Sequence, residues 1–352
     1  MAIPELLDRL LRTPGPSGDE ARAAAVWREG VKRFCGEVFC DTSGSSWAKL
    51  TGTAGAPSLA VIGHIDEIGL QVTHIDDAGF LRFTAIGGWE AIQLIGQRVV
   101  IDTRNGPLRG LIGRKAIHLL SEEDRKRMPL IKELHIDIGV SGEAEARSLV
   151  RIGDTAVLNV DPIELREGLI TSRSLDNRAG CYVAARAAEL IAREGGTPGD
   201  FLALAVVQEE IGHNGATTSA YRHQPDVAIA VDVTHATDIP GTELGEITSH
   251  GLGSGAVICR GSTMHPVVFE RLCDAAEQEG IPYTVETSTR RSGTDADEFH
   301  ISRAGIPTGL ISIPLRYMHS GVETISAADL ESCAKLLVAF AKRLEPGTSF
   351  LR

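Results

Sequence analysis

Two adjacent carboxylates, Glu209 and Glu210, lie just after the apolar run Phe201 to Val207. Such a run predicts a short buried strand, and ligands of open α/β sheets bind beyond the carboxyl ends of their strands. Successive side chains on an extended backbone point to opposite sides, so the two carboxylates can have different roles. One could bind a metal ion while the other transfers a proton. A solvated acidic turn is the alternative interpretation.

A second predicted strand, Ser58 to Gly63, runs directly into His64 and Asp66. On an extended backbone both side chains would lie on the same face. His64 could then bind a metal ion while Asp66 fixes the orientation of its ring, as metal-binding histidines commonly require. A purely structural histidine is the alternative.

The same arrangement recurs at two further apolar runs. Asp232 follows Val227 to Val231, and His319 follows the last predicted strand, Thr308 to Ile313. Chance rarely places candidate ligands after every strand. Carboxylates and imidazoles suit divalent cations, whereas a basic pattern would have indicated phosphate.

Asp176 precedes a long predicted helix that Gly195 and Gly196 end. This is an ordinary N-cap position, and a structural cap is one interpretation. The position also directs a carboxylate towards the strand ends.

The number of candidate donors is too large for one ion. A single catalytic zinc takes about three protein ligands and water, so two ions sharing a carboxylate account better for the set. Glu209 would remain off the metals and take a proton from water, whose pKa such ions lower to roughly 7. The expected ligands are His64, Asp176, Glu210, Asp232 and His319.

Within this set, Asp176 is expected to bridge the two ions. His64 and Asp232 would complete the first site, and Glu210 and His319 the second.

The elements that position these residues divide into two predicted domains. A chain of 352 residues exceeds the roughly 250 to 300 residues at which single cores stop growing. Residues 1–68 and 163–352 are predicted to form a discontinuous catalytic domain, an α/β/α fold with a mixed sheet. From 69 to 162, short apolar runs alternate with turns, which predicts an inserted, barrel-like all-β domain. Ser17 and Glu20 have the spacing of a capping box.

Composition limits the function classes. The chain has 35 basic and 47 acidic residues, a net charge of -12, which argues against nucleic acid or an anionic membrane as a partner. No apolar run approaches the ~18 residues of a membrane span, and the start lacks an export signal, so a cytoplasmic location is expected. The six cysteines lack metal-binding spacing and are predicted to be reduced.

Eight short motifs follow one another along almost the whole chain. They are Gly63-His-Ile-Asp-Glu-Ile-Gly69, Gly87-Gly-Trp89, Gly113-Arg-Lys-Ala-Ile-His118, Ser174-Leu-Asp-Asn-Arg178, Val207-Gln-Glu-Glu-Ile-Gly212, Asp232-Val-Thr234, Gly293-Thr-Asp-Ala296 and Arg316-Tyr-Met-His-Ser320. With these motifs the chain resembles the glutamyl aminopeptidase and deblocking aminopeptidase family. Members of that family are dimetal exopeptidases that build tetrahedral (TET) dodecamers.

The resemblance implies the same five ligands, a general-base role for Glu209 and an orienting role for Asp66. It implies two divalent ions per subunit, with zinc and cobalt preferred and manganese as a further candidate. The substrates would be peptides with a free N-terminus. The inserted β domain would mediate dimerisation, and dimers would assemble into a dodecamer.

Two departures from the pattern bear on substrate preference. His213 and Asn214 stand where many relatives carry an apolar residue and Arg, and Ala256 stands where many carry Pro. We interpret His213 as structural, with a role in the substrate pocket as the alternative. Rival functions are a dimetal carboxypeptidase or deacylase, the endoglucanase activity assigned to some relatives, and an assembly protein that has lost catalysis.

Overall fold

The computed structural model describes residues 3–242 and 248–351. The strands are β1 (Glu37–Cys40), β2 (Ser46–Leu50), β3 (Ala56–His64), β4 (Gly69–Ile75), β5 (Leu81–Ile86), β6 (Arg98–Thr103), β7 (Gly106–Gly113), β8 (His135–Asp137), β9 (Thr155–Leu158), β10 (Ile163–Glu164), β11 (Leu169–Ser172), β12 (Gly199–Val206), β13 (Val227–His235), β14 (Ala256–Gly261), β15 (Tyr283–Ser288), β16 (Thr308–Leu315) and β17 (Glu323–Ser326). The α-helices are α1 (Glu5–Arg12), α2 (Ala21–Val31), α3 (Ala91–Leu94), α4 (Glu122–Lys126), α5 (Glu143–Leu149), α6 (Leu175–Arg193), α7 (Asn214–His223), α8 (Pro266–Glu279), α9 (Ala296–Phe299) and α10 (Ala327–Lys342).

A mixed sheet lies between two helical layers. Across the described residues its strand order is β1-β2-β12-β3-β13-β16-β14-β15, and the central strands β12, β3, β13 and β16 are parallel. These strands are almost continuously apolar because helices cover both of their faces. The larger core lies under α1, α2, α6, α8 and α10, and the smaller one under α7 and α9. The predicted α/β/α fold with a mixed sheet is therefore confirmed.

The four parallel strands bring their carboxyl ends to one edge of the sheet. His64, which was predicted to follow the strand, is the last residue of β3. Asp232, in contrast, lies inside β13 rather than after it. The strand extends to His235 because its pairing with β16 continues past Asp232, which lies opposite Ser312.

A closed antiparallel barrel with the strand order β4-β5-β8-β7-β6-β9 follows β3 in the chain. After the barrel the chain enters a separate three-stranded sheet, β10-β11-β17. The barrel has its own apolar core, which includes Leu70, Phe83 and Ile136. The segment is not entirely β, because it also contains α3, α4 and α5. Helix α5 contributes buried Ala146 to that core.

Two further expectations are resolved by the described residues. The predicted capping box is not formed at the start of α2, because Ser17 donates its hydroxyl hydrogen bond to Asp66 at 2.7 Å and Glu20 accepts from the N–H of Gly18. Within 3–242 and 248–351, none of the helices has the length and apolar character required to cross a bilayer.

Candidate metal centre

The predicted ligands meet at the carboxyl edge of the parallel strands, with Asp176 between two histidines. Its Oδ1 lies 3.1 Å from Nε2 of His64, and its Oδ2 lies 3.5 Å from Nε2 of His319. His319 Nε2 is also 3.4 Å from Oε2 of Glu210, and His64 Nε2 is 4.0 Å from Oδ1 of Asp232. One carboxylate therefore links two imidazole–carboxylate groups.

Asp176 reaches this position because regular helix geometry begins only after it. Ser174 has a φ of 58°, and Asp176 and Asn177 have non-helical dihedral angles. The side chain of Asn177 accepts a hydrogen bond from the N–H of Gly180 at 2.9 Å, which is the usual geometry of a capping residue. The structural interpretation of Asp176 as the cap is therefore wrong: Asn177 caps the helix, and Asp176 faces the histidines.

Asp66 is fully buried and connects the end of β3 to the segment after β12. It accepts backbone N–H hydrogen bonds from Glu209 at 3.1 Å and Glu210 at 3.2 Å, and its Oδ1 lies 3.4 Å from His64 Nδ1. Burial raises the pKa of Asp66, but the hydrogen bonds from His64, Ser17 and Glu209 outweigh it and lower the pKa overall. The Asp66 carboxylate thus fixes the positions of His64, Glu209 and Glu210 relative to one another.

His319 lies in the turn after β16, where the chain reverses before β17. The residue has a φ of 58°, and its N–H donates a hydrogen bond to Oε1 of Glu323 at 3.0 Å. On its other side is Gly88, from the loop after β5: a Cβ at that position would lie 3.0 Å from Nδ1 of His319. The barrel segment therefore packs directly against a predicted ligand.

Among the residues 3–242 and 248–351, two groups of side chains have the spacing required to hold a metal ion. His64, Asp176 and Glu210 offer ligand atoms within 4.8 Å of one another, and His64, Glu209 and Asp232 form a second such group. Glu209 Oε2 lies 3.8 Å from His64 Nε2. Glu209 therefore lies beside the predicted ligand His64.

The electrostatics of the cluster fit divalent cations. Burial, reinforced by Asp176, raises the pKa of Glu210 to about 7, and burial raises that of Asp232 well above its usual range. Hydrogen bonds to Asp176 and Glu210 raise the pKa of His319 to about 11. Oε1 of Glu210 is buried and has no hydrogen-bond partner in the part of the chain that the structure describes. Buried carboxylates crowded in this way are compensated by pairing or by metal coordination.

Comparison with known proteins agrees with this geometry. Residues 44–336 match the family described as M42 glutamyl aminopeptidase. The chain belongs to the M42 family. This confirms the predicted resemblance and supports a metal-dependent aminopeptidase.

Three similar proteins match this chain over nearly their whole length. A putative aminopeptidase of Acetivibrio thermocellus is 37% identical, covering 95% of this chain and 97% of the relative. The aminopeptidase APDkam598 of Desulfurococcus kamchatkensis superposes with a TM-score of 0.91 at 37% identity, covering 97% and 95% of the two chains. The TET1 peptidase of Pyrococcus horikoshii, which can assemble into a tetrahedron or a large octahedral shell, has a TM-score of 0.84 at 32% identity, covering 97% and 99%.

Glu323 was missed by reasoning from the sequence of this M42 chain. It is buried in β17, accepts the N–H of Asp176 at 3.2 Å through Oε2, and accepts the N–H of His319 through Oε1. Burial and the nearby Asp176 raise its pKa well above its usual range. Its contact with Asp176 could not be read from local sequence, because the two residues are 147 positions apart.

Asp295 and His213 also enter the M42 site. Asp295 belongs to the motif Gly293-Thr-Asp-Ala296, to which no role was assigned. It is buried, its oxygens have no hydrogen-bond partner among the described residues, and burial followed by repulsion from Glu209 raises its pKa to about 8. His213 Nε2 lies 3.0 Å from Oε1 of Glu209. The interpretation of His213 as merely structural does not account for this contact, which its unusual place after the Glu-Glu motif could have signalled.

Proposed function

We propose that this chain is an aminopeptidase that uses two divalent ions to release the N-terminal residue of peptides. The observation that carries the proposal is the position of Asp176, whose two oxygens face His64 and His319 separately. A carboxylate shared in this way suits a bridge between two ions. M42 membership supports the aminopeptidase reaction.

Each ion would have a histidine, a carboxylate and the shared Asp176. His64 and Asp232 would hold the first ion, and Glu210 and His319 the second. When bound, such a pair lowers the pKa of a coordinated water and polarises the scissile carbonyl. The free α-amine of the peptide would be the substrate group that distinguishes this reaction from that of a carboxypeptidase.

Glu209 is the proposed general base. Its backbone is fixed by Asp66, and its Oε2 lies near His64 rather than in bulk solvent, since the residue is only 9% exposed. Oε2 would accept a proton from the attacking water and return it to the leaving amine. Asp66 would orient His64 through Nδ1, leaving Nε2 for a metal ion.

Zinc and cobalt are the proposed ions, with manganese as a further candidate, since imidazole and carboxylate donors accept all three. The decisive experiment uses the purified protein, stripped with a chelator and reloaded with each metal in turn. Hydrolysis of a panel of aminoacyl p-nitroanilides should return with metal, and an N-acetylated substrate should remain intact. Release of C-terminal residues or deacylation alone would contradict the proposal, as would activity on cellulose that ignores chelation.

The segment 69–162 is proposed as a dimerisation domain, and the dimers as units of a dodecamer. Large apolar side chains on this segment are exposed, and burial against a second copy would remove them from water. They include Leu111, Ile117, Leu119, Met128, Leu130 and Ile152. Light scattering during size-exclusion chromatography tests the assembly, with a monomeric mass as the contradicting result.

A further inference from the structure

The two carboxylate oxygens of Glu209 have different neighbours. Oε1 lies 3.0 Å from Nε2 of His213, within hydrogen-bonding distance, whereas Oε2 lies 3.8 Å from Nε2 of His64, on the side of the predicted ligands. An imidazole N–H that binds Oε1 restricts rotation of the carboxylate and leaves Oε2 directed at the metal centre. The contact therefore selects which oxygen of Glu209 can accept a proton.

The backbone turn between the two residues produces this contact. The N–H of His213 donates to the carbonyl oxygen of Glu209 at 3.0 Å, and His213 has a φ of 57°. The left-handed region is uncommon for residues other than glycine, although histidine tolerates it better than most. Strained positions of this kind cluster at functional sites, where a particular side chain is required.

The second ring nitrogen of His213 faces another carboxylate. Nδ1 lies 3.9 Å from Oε1 of Glu298, whose Oε2 accepts a hydrogen bond from the hydroxyl of Thr217 at 3.3 Å. Glu298 also forms an ion pair with Arg291. The ring therefore lies between Glu209 and Glu298, and Thr217 and Arg291 hold the carboxylate of Glu298 in place.

We propose that His213 is a positioning residue for the general base: it binds Oε1 of Glu209 so that Oε2 alone faces the attacking water. This inference rests on the proposed function, because it requires Glu209 to act as the base. The contacts of His213 with Glu209 and Glu298 carry it. It also replaces the expectation that His213 only supports the fold.

The test compares His213→Gln and His213→Met, which match in length and differ in whether the side chain can donate a hydrogen bond. The Met variant should lose about 10- to 100-fold in kcat, the range typical of partners that orient reactive side chains. Its KM should stay within about twofold, because His213 does not contact the substrate in this scheme. The Gln variant should retain most of the wild-type kcat.

Metal content and melting temperature are measured for all three proteins. Two ions per chain and unchanged melting temperatures separate positioning from a structural role. The proposal is overturned by a Met variant with wild-type kcat, by equal losses in both variants, or by loss of a metal ion in the Met variant. If the Met variant does not fold, Glu298→Gln is tested in its place. A decrease in kcat at unchanged KM then supports the proposal, and an unchanged kcat opposes it.

Wild-type protein reloaded with metal serves as the reference arm. Its failure to hydrolyse any aminoacyl substrate would refute the proposed function, whereas an active wild type with an equally active Met variant would refute only the role of His213.

Discussion

Asp66 accepts a hydrogen bond from the backbone N–H of Glu209, at 3.1 Å, across 143 residues of sequence. The same carboxylate also accepts the N–H of Glu210, so a residue just after β3 fixes the segment after β12. The proposed base and a proposed ligand are therefore positioned by a single buried side chain.

Replacing Asp66 with Asn should weaken metal binding and catalysis together. An amide cannot accept from both glutamate N–H groups and from His64 as a carboxylate does. We expect metal affinity to fall about 10- to 100-fold, the usual effect of losing a partner that orients a ligand. Isothermal titration with zinc measures this. Asp161→Asn, at an 83% exposed side chain, is the control and should bind metal normally.

Changing Glu209 or Glu210 to Gln should have different effects on metal content and on kcat. Glu209→Gln should retain two ions per chain and lose roughly 100- to 10,000-fold in kcat, the contribution typical of a general base. Glu210→Gln should lose one ion, because its carboxylate would be a ligand. Elemental analysis by mass spectrometry with parallel kinetics measures both. Loss of an ion from the Glu209 variant would instead make Glu209 a ligand beside His64 and Asp232.

Gly88→Ala should disturb the second proposed metal site from the barrel side. The new Cβ would lie 3.0 Å from Nδ1 of His319, closer than most contacts of real Cβ atoms. Displacement of the ring should lower the affinity for one ion and reduce kcat while the other ion remains bound. Gly36→Ala is the matched control, since a Cβ there would have no described atom within 4 Å. Identical metal titrations of the two variants would refute the prediction.

His223 should make the fold sensitive to mild acid. Burial, followed by the charge of Arg222, lowers its pKa to about 4, and its ring packs edge-on against Trp47 at 4.7 Å between centroids. In the unfolded chain the imidazole of His223 takes up its proton near pH 6.5, whereas in the folded protein it does so only near pH 4. The folded state therefore has its full stability above pH 6.5 and loses stability as the pH falls towards 4. The loss should reach at most about 1.4 kcal/mol per pH unit.

His223→Phe should remove this dependence while keeping an aromatic ring against Trp47. The free energy of unfolding of both proteins is measured with denaturant at pH 7 and pH 5. A chelator is present throughout, so that release of metal at low pH does not contribute to the difference. The wild type should lose more stability than the variant over this interval. Parallel curves for the two proteins would show that His223 does not titrate as described.

Several features of the site could be predicted because they depend on local sequence. Apolar runs that end in polar residues predicted the parallel strands, and the common direction of those strands placed His64 and Glu209 at one edge. The α/β/α fold and the barrel followed from hydrophobic periodicity and from the spacing of turns. The resemblance of the ordered motifs indicated the M42 family, which the comparisons confirmed.

Other features depended on contacts between distant residues, which periodicity does not record. Ser17 binds Asp66 across 49 residues rather than capping α2, and Asp176 faces His64 across 112 residues rather than capping α6. Glu323 is drawn to Asp176 because β17 pairs with β11, and the turn after β12 places His213 on Glu209. The sequence alone determined which residue types and strand ends could form the site. Only tertiary packing decided which buried acceptor meets which donor, because each such pairing depends on where distant segments come together.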